Sequence, residues 1–411
     1  MDSLIKVIGA ALDLVESELL GASTNHGKRI AVLCAKMGEI LGKSPQEITG
    51  LVTCALLHDN ALTEYILSER LGGERDPAMK KHCEYGQRNV DALHLETNVR
   101  DFVLYHHERA DGKGPFGTRE AEIPMEAELI SIADSIDVTH HLQRLGPEGL
   151  STIRRYIADE TGRRYSKTAA QAMLEVLDWP MLLSLKDDVI QETTASVFLP
   201  WVVDIETETM FGLADFMARI IDCKSVFTRR HSTQIANKAW FMGEYYHYNH
   251  EEKAKLYLAA ALHDIGKLAI PPAILEKPDK LSDEEFSIIK GHVRLTWEML
   301  KDIDGFKTIC AWAADHHEKL DGSGYPFGKK GDEMDFNSRL MACIDIYQAV
   351  SEERPYHPGR SHGDTMAIMF KMAENGKIDG NIVKDMDIAM APFDGKNFPP
   401  PDIARGDLVG N

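Results

Sequence analysis

A chain of 411 residues with 44% hydrophobic and 27% charged residues has an ordinary globular composition, long enough for two or three domains each with its own core. Its formal net charge of -19 excludes general coating of DNA or RNA, which needs a basic face, so an anionic ligand would have to be met by local cations or metal ions. No apolar run reaches the roughly eighteen residues of a membrane span, and the start Met-Asp-Ser-Leu-Ile-Lys lacks the basic and apolar regions of a signal peptide; the expected compartment is the cytoplasm, with no membrane partner.

In chain order, Leu4, Ile5, Ile8, Leu12, Val15 and Leu19 recur at three- and four-residue steps and predict an amphipathic first helix. Behind it comes a series of histidines and aspartates: His26, His58-Asp59, His82, His106-His107 and Asp134. Helical patterning continues to Trp179-Pro180, which is expected to close the last helix of this part near residue 182. The stretch 183–205 reads as a connector in which Leu185 to Val203 can form one long helix. Met210 to Ile221 then repeats the first amphipathic pattern, and a second series follows: His231, His263-Asp264, His292, His316-His317 and Asp345. Pro271-Pro272 is expected to stop the helix that carries His263. The acidic, proline-rich end after Met390 reads as a surface-packed or mobile tail, with 396–411 outside the last domain.

The two series share their spacing. His26 to His58 and His231 to His263 are each 32 residues, His82 to His106 and His292 to His316 each 24, and only the middle interval differs, as a loop insertion makes it. Local sequence agrees: Ala55-Leu-Leu-His-Asp59 parallels Ala260-Ala-Leu-His-Asp264, and Ile132-Ala-Asp-Ser-Ile-Asp137 parallels Cys343-Ile-Asp-Ile-Tyr-Gln348. The chain is therefore read as a domain-scale tandem duplication, all-α, with one copy over 1–182 and the other over 206–395.

Imidazole and carboxylate without thiolate suit iron, manganese or zinc, with nickel and magnesium also admitted. The six cysteines, Cys34, Cys54, Cys83, Cys223, Cys310 and Cys343, form no CxxC pair and read as reduced core residues. A lone histidine on an apolar helix is more often a core residue than a ligand. The reading inverts here because His-Asp and His-His dipeptides recur at matched spacings, and because a buried Asp264 or Asp345 is costly without a cation. Seven candidate ligands exceed the needs of one catalytic ion and match two ions bridged by a carboxylate, a clamp suited to in-line displacement at phosphorus in which one side generates hydroxide. Lys267, three residues after Asp264, is placed to meet a phosphate. Asp321-Gly-Ser-Gly-Tyr-Pro-Phe-Gly328 offers glycines for close backbone approach to an anion and a tyrosine ring for a base.

On these residues copy two resembles the HD-GYP phosphodiesterases: His263-Asp264 with Ile-Gly-Lys267, then His292, His316-His-Glu-Lys-Leu-Asp-Gly-Ser-Gly-Tyr-Pro326, Asp345 and Arg354-Pro-Tyr356. The resemblance implies an all-helical domain with a non-haem iron or manganese pair and hydrolysis of a cyclic dinucleotide. Cyclic di-GMP is the chief substrate implied, giving pGpG or GMP; 3'3'-cyclic GMP-AMP, or a receptor that binds without turnover, are the alternatives kept. It implies His231, His263, Asp264, His292, His316, His317 and Asp345 as metal ligands with Asp264 bridging, and Lys267 as the catalytic or phosphate-contacting lysine. Asp321, Gly322, Gly324, Tyr325 and Arg354 are implied as substrate contacts. Phe227 stands where some members carry a third-metal glutamate, so two metals are expected; Val293, Gln348 and His357 are further departures that remove no ligand. Copy one retains His26, His58, Asp59, His82, His106, His107 and Asp134, leaving a metal there open. It carries Leu62 in place of the lysine and Asp111-Gly-Lys-Gly-Pro-Phe-Gly117 without the tyrosine, so it is expected to regulate rather than hydrolyse. No nucleic-acid polymer is an expected partner, and a homodimer is admitted.

Overall fold

The computed structural model describes residues 8–9, 11–13, 24–62, 78–93, 99–197, 207–224, 231–277, 279–352, 359–394 and 397–401, with Glu208 and Cys223 described by backbone alone. The described residues form helices and turns with no strand, in two compact units, 1–204 and 205–411. Of the expected first helix only Ile8, Gly9 and Ala11–Asp13 are described; Phe227, Arg354 and His357 lie outside the described residues.

Unit 1 is built from α1 (His26–Ile40), α2 (Pro45–Leu57), α3 (Ala78–Asp91), α4 (Met125–His140), α5 (Gly149–Glu160), α6 (Lys167–Val176), α7 (Trp179–Ser184) and α8 (Ile190–Val197). Its centre is α1, which packs against α2, α4, α6 and α8 and buries Ile30–Ala35 and Met37. A helix apolar on nearly every face is a core helix. Ser44 starts α2 with a capping box, its side chain accepting from Glu47 N while Glu47 accepts from Ser44 N; such a cap stabilises by about 1 kcal/mol.

Two expectations about the end of this unit are corrected. Trp179-Pro180 opens a helix instead of closing one: Asp178 caps α7 and Pro180 sits in its first turn, where a missing N–H costs nothing. The helix expected from Leu185 begins only at Ile190, with α8: Lys186 lies in the turn before it and donates to the Gln143 and Leu145 carbonyls, and 198–203 lie outside the described residues. Asp187 reaches Arg29, and Ile190 and Thr194 are buried in unit 1.

Unit 2 repeats the plan with α9 (Thr207–Cys223), α10 (His231–Tyr245), α11 (His250–Leu262), α12 (Pro272–Leu275), α13 (Asp283–Leu300), α14 (Lys307–Ala314), α15 (Phe336–Ser351), α16 (His362–Glu374) and α17 (Gly380–Met390). Here α11 is the core helix, packed on α9, α10 and α14, with Leu256–Leu262 all buried. Its start repeats the device of α2, an Asn249–Glu252 capping box. The helix ends at Leu262, well before Pro271-Pro272; His263 caps it, and Ile265–Ala269 forms a 3-10 turn. Pro272 opens α12 rather than stopping α11. The tail is packed in part: Phe398 is buried, its ring lying 4.4 Å from that of Phe393 and 5.4 Å from that of Phe241. Cys34, Cys54, Cys83, Cys310 and Cys343 are buried and free. No helix among the described residues is long and apolar enough to cross a membrane.

Candidate metal centre

In unit 2 each candidate ligand comes from a different structural position. His231 opens α10, His263 and Asp264 stand at the end of α11, His292 lies within α13, His316-His317 follow α14, and Asp345 lies within α15. All are buried except His317, which is partly exposed. The two oxygens of Asp264 face different groups. Oδ2 lies 3.2 Å from His263 Nε2 and 3.6 Å from His231 Nε2, while Oδ1 lies 3.2 Å from His292 Nε2. His292 Nε2 in turn is 3.4 Å from His316 Nε2. Asp345 joins both sides, with Oδ1 3.9 Å from His231 Nε2 and Oδ2 3.4 Å from His317 Nδ1. Two ligand triads therefore form, His231–His263–Asp264 and His292–His316–His317, each with its donor atoms within 4.8 Å of one another.

These residues fit the binding of metal. Donors about 2.1 Å from a shared ion stand about 3 to 3.5 Å apart, the spacing seen here. His263, His292 and His316 each point Nδ1 at the carbonyl three residues back, at 2.7, 2.6 and 2.7 Å. A carbonyl only accepts, so Nδ1 is the donor and Nε2 is left as a lone pair aimed at other lone pairs. Such an arrangement calls for a cation. Accordingly His263 Nε2 and Asp264 Oδ1, both buried, have no hydrogen-bond partner.

The electrostatics agree at Asp264, His316 and His317. Burial opposes ionisation of Asp264, but His263 and the Lys267 ammonium outweigh it and hold the carboxyl well below the ordinary range. Burial, and then neighbouring imidazoles, keep His316 well below the usual imidazole range and push His317 down to about 3, so both are neutral and ready to coordinate. Lys267 sits on the 3-10 turn rather than one helical turn along α11, and its Nζ donates to Asp264 Oδ2 at 2.5 Å.

The glycine-rich loop is fixed by groups the sequence reading did not single out. Glu318 is buried beneath it and accepts from the backbone N–H groups of Phe327, Gly328 and Lys329. Gly324 passes so close that a Cβ there would lie 2.4 Å from Glu318 Cα, and Gly322 adopts φ +77°. Tyr325 N donates to His317 O, and the Tyr325 ring lies 4.9 Å from the His317 ring. Asp321 folds back to accept from Ser323 N and Oγ. Gly266 is equally constrained: a Cβ would lie 2.0 Å from His292 O, and Thr296 Oγ1 accepts from Gly266 N while donating to His263 O. The recurrence of glutamate after His-His in both copies was the available signal for Glu318; Thr296 had none. Arg354 lies outside the described residues. A cavity of about 640 Å³ is lined by Lys238, Gln348, Glu352, Arg360 and His362, among others.

Unit 1 assembles its own seven residues. Asp59 Oδ1 faces His82 Nε2 at 3.0 Å and His106 Nε2 at 3.8 Å, and Oδ2 faces His58 Nε2 at 3.6 Å. Asp134 Oδ1 lies 3.3 Å from His26 Nε2. His107 completes the group formed by Asp59, His82 and His106. The buried His58 Nε2, His106 Nε2 and both His82 nitrogens have no hydrogen-bond partner. Leu62, where unit 2 has Lys267, is buried. Gly114 makes the same close approach to Glu108 that Gly324 makes to Glu318, and Glu108 accepts from Phe116 N and Thr118 N. The loop scaffold is retained while its tyrosine is absent.

HD-domain family models match residues 24–139 and 215–382, one in each unit. Two curated relatives from Vibrio cholerae match nearly end to end. The 3'3'-cGAMP-specific phosphodiesterase 1 is 29% identical over 91% of this chain and 88% of its own length. The 3'3'-cGAMP-specific phosphodiesterase 3 is 30% identical over 88% of this chain and 83% of its own. The cyclic di-GMP phosphodiesterase response regulator RpfG of Xanthomonas campestris is 32% identical but spans only 43% of this chain and 46% of its own length. Among solved structures, a cyclic GMP-AMP specific phosphodiesterase of V. cholerae (V-cGAP3) superposes with a TM-score of 0.62 at 21% identity, covering 94% of this chain and 97% of its own, which establishes a shared fold. Two HD domains in tandem, matched across both units by relatives of this kind, make the chain a member of the HD-GYP-type phosphodiesterases.

Proposed function

We propose that unit 2 is a metal-dependent phosphodiesterase that hydrolyses a cyclic dinucleotide, with 3'3'-cyclic GMP-AMP as its substrate. The observation that carries the reaction type is Asp264, whose Oδ2 faces His231 and His263 while its Oδ1 faces His292, beside Lys267 and the Gly-Tyr-Pro loop. Metal ions held by His231, His263, Asp264, His292, His316, His317 and Asp345 would supply an activated water and spread charge from the phosphoryl oxygens. The donor set, imidazole and carboxylate throughout, suits two iron or manganese ions. Lys267 Nζ, held at Asp264, would donate to a phosphate oxygen of the substrate, and Tyr325 would offer its ring to a base. Arg354 is assigned a second phosphate contact, and Asp321, Gly322 and Gly324 the shape of the loop that receives the substrate.

The substrate reading rests on the two relatives that match both units, which are named for 3'3'-cGAMP. Cyclic di-GMP remains the second reading, favoured by the complete Gly-Tyr-Pro loop and by RpfG. Unit 1 is assigned a metal site at His26, His58, Asp59, His82, His106, His107 and Asp134 without hydrolysis, since Leu62 replaces the lysine and the loop lacks its tyrosine. The free cysteines suit action in the cytoplasm.

The test is chromatographic: anaerobically purified protein loaded with Fe(II) or Mn(II) is incubated with 3'3'-cGAMP, cyclic di-GMP, cyclic di-AMP and linear dinucleotides. Preferential loss of 3'3'-cGAMP is expected. Preferential loss of cyclic di-GMP would overturn the substrate reading, and turnover of linear substrates alone would overturn the reaction class. Tight binding of an intact cyclic dinucleotide would instead mark a receptor.

A further inference from the structure

The candidate histidine ligands differ in how their second ring nitrogen is held. His263, His292 and His316 in unit 2, and His58 and His106 in unit 1, each use the carbonyl three residues back in their own helix or turn. His26 and His231 are met differently, Nδ1 of each facing a carboxylate more than a hundred residues away in the chain. An outside acceptor is needed to fix the tautomer that leaves Nε2 free to coordinate.

Unit 1 provides that acceptor with Asp137, three residues after Asp134 on α4. Its Oδ2 lies 2.6 Å from His26 Nδ1, with both side chains buried. Arg29 holds the carboxylate from the other side, Nε to Oδ1 at 2.8 Å and Nη2 to Oδ2 at 2.9 Å. In unit 2 the matching position, three residues after Asp345, is Gln348. Its amide oxygen accepts from the buried Lys238 at 2.5 Å. His231 Nδ1 instead meets Glu352 Oε2 at 3.0 Å, where the histidine is 5% and the glutamate 18% exposed. Glu352 follows Gln348 by four residues, so it emerges on the same side of α15 one turn on, at the helix end. An ionised carboxylate only accepts, which makes His231 Nδ1 the donor and aims its lone pair at Asp264 and Asp345.

We propose that Glu352 is the positioning residue for His231, a carboxylate moved one helical turn along α15 from the place Asp137 occupies in unit 1, with Lys238 and Gln348 closing the place it left. Lys238 stands to position 348 as Arg29 stands to Asp137, as a buried cation on the histidine's own helix. The inference rests on reading the unit 2 cluster as a metal site, and its test separates the two.

The test titrates the metal-free full chain with Mn(II), counts bound metal, and takes Asp264→Ala as the unit 1 baseline. If the wild type binds no more metal than that baseline, the metal-site reading fails and not the Glu352 assignment. Given binding above baseline, Glu352→Ala should weaken it about 10- to 100-fold with the unit 1 metal unchanged, and Glu352→Gln should lose less because its amide oxygen still accepts. The decisive variant is Glu352→Ala combined with Gln348→Asp, which restores a carboxylate beside Lys238 in the Asp137 position. Recovery of Mn(II) affinity to within about threefold of wild type, with a matching electron paramagnetic resonance spectrum, is expected. Unchanged affinity in Glu352→Ala would overturn the proposal. So would failure of Gln348→Asp to recover affinity in a double variant that melts at the wild-type temperature. If Glu352→Ala alone does not fold, Glu352→Gln and the double variant decide the question.

Discussion

Unit 1 and unit 2 bring the same seven residue types together on the same helical plan, and they differ in what surrounds them. In unit 1 Asp59 has buried Leu62 three residues on; in unit 2 Asp264 has Lys267, whose ammonium touches it. Both units seat a glycine-rich loop on a buried glutamate, Glu108 or Glu318, through a glycine with no room for a Cβ, but only unit 2 presents a tyrosine beside the second His-His residue. The comparison separates two properties that are often treated as one. A buried ring of imidazoles with unsatisfied nitrogens demands a cation wherever the fold assembles it, whereas hydrolysis also needs groups that hold a phosphate and a base.

The largest expected effect breaks this comparison directly. Asp264→Ala should lower kcat by about 10³-fold or more, since both proposed metal positions lose their shared ligand, while Asp59→Ala should leave it within about twofold; equal losses would overturn this division of labour. Next, Lys267→Met should cost about 10²- to 10³-fold in kcat, the scale of removing one group that stabilises developing charge, with metal content unchanged. Leu62→Lys should confer no activity on unit 1 in an Asp264→Ala background, because the tyrosine is still missing. Gly324→Ala should then reduce kcat/KM by about 10²-fold, as the loop is pushed off Glu318 and the substrate is misplaced, without loss of bound metal. Metal itself should raise the melting temperature of Asp264→Ala, where only unit 1 can bind; at a hundred times Kd the stabilisation is about 2.7 kcal/mol. A flat melting curve against Mn(II) would remove the metal from unit 1.

The smallest expected effect is on pH. Burial pushes the Lys238 ammonium down to about 8, with Glu352 opposing the shift. A lysine with a lowered folded pKa is penalised while charged, so the penalty is full below about pH 8. It fades as pH rises toward the unfolded value near 10.4. Unit 2 should therefore gain stability relative to a Lys238→Met variant between pH 8 and 10, measured as the difference in denaturation midpoints. A difference that shrinks or is constant over that interval would contradict it.

The His-Asp and His-His dipeptides and their matched intervals along the chain made the duplication, the all-helical class and the candidate ligands legible, because ligand type and spacing are local properties. Local pattern was less able to mark where helices end. Pro271-Pro272 and Trp179-Pro180 look like stops, yet both prolines open helices, since proline is as well suited to a first turn as to a termination. Nor could spacing show that Gly266 must be glycine because His292 O lies against it, or that Thr296 ties α13 to His263.

What the sequence determined by itself is the list of groups: which residues can bind metal, which unit keeps the lysine and tyrosine, and that the design is written twice. What only the tertiary structure decided is how each group is aimed. Asp264 turns one oxygen to His231 and the other to His292, and His231 finds its acceptor at Glu352 instead of at the position three residues after Asp345. The physical reason is that a hydrogen-bond partner is chosen by distance and direction in space, and on a helix the next turn serves as well as the expected one.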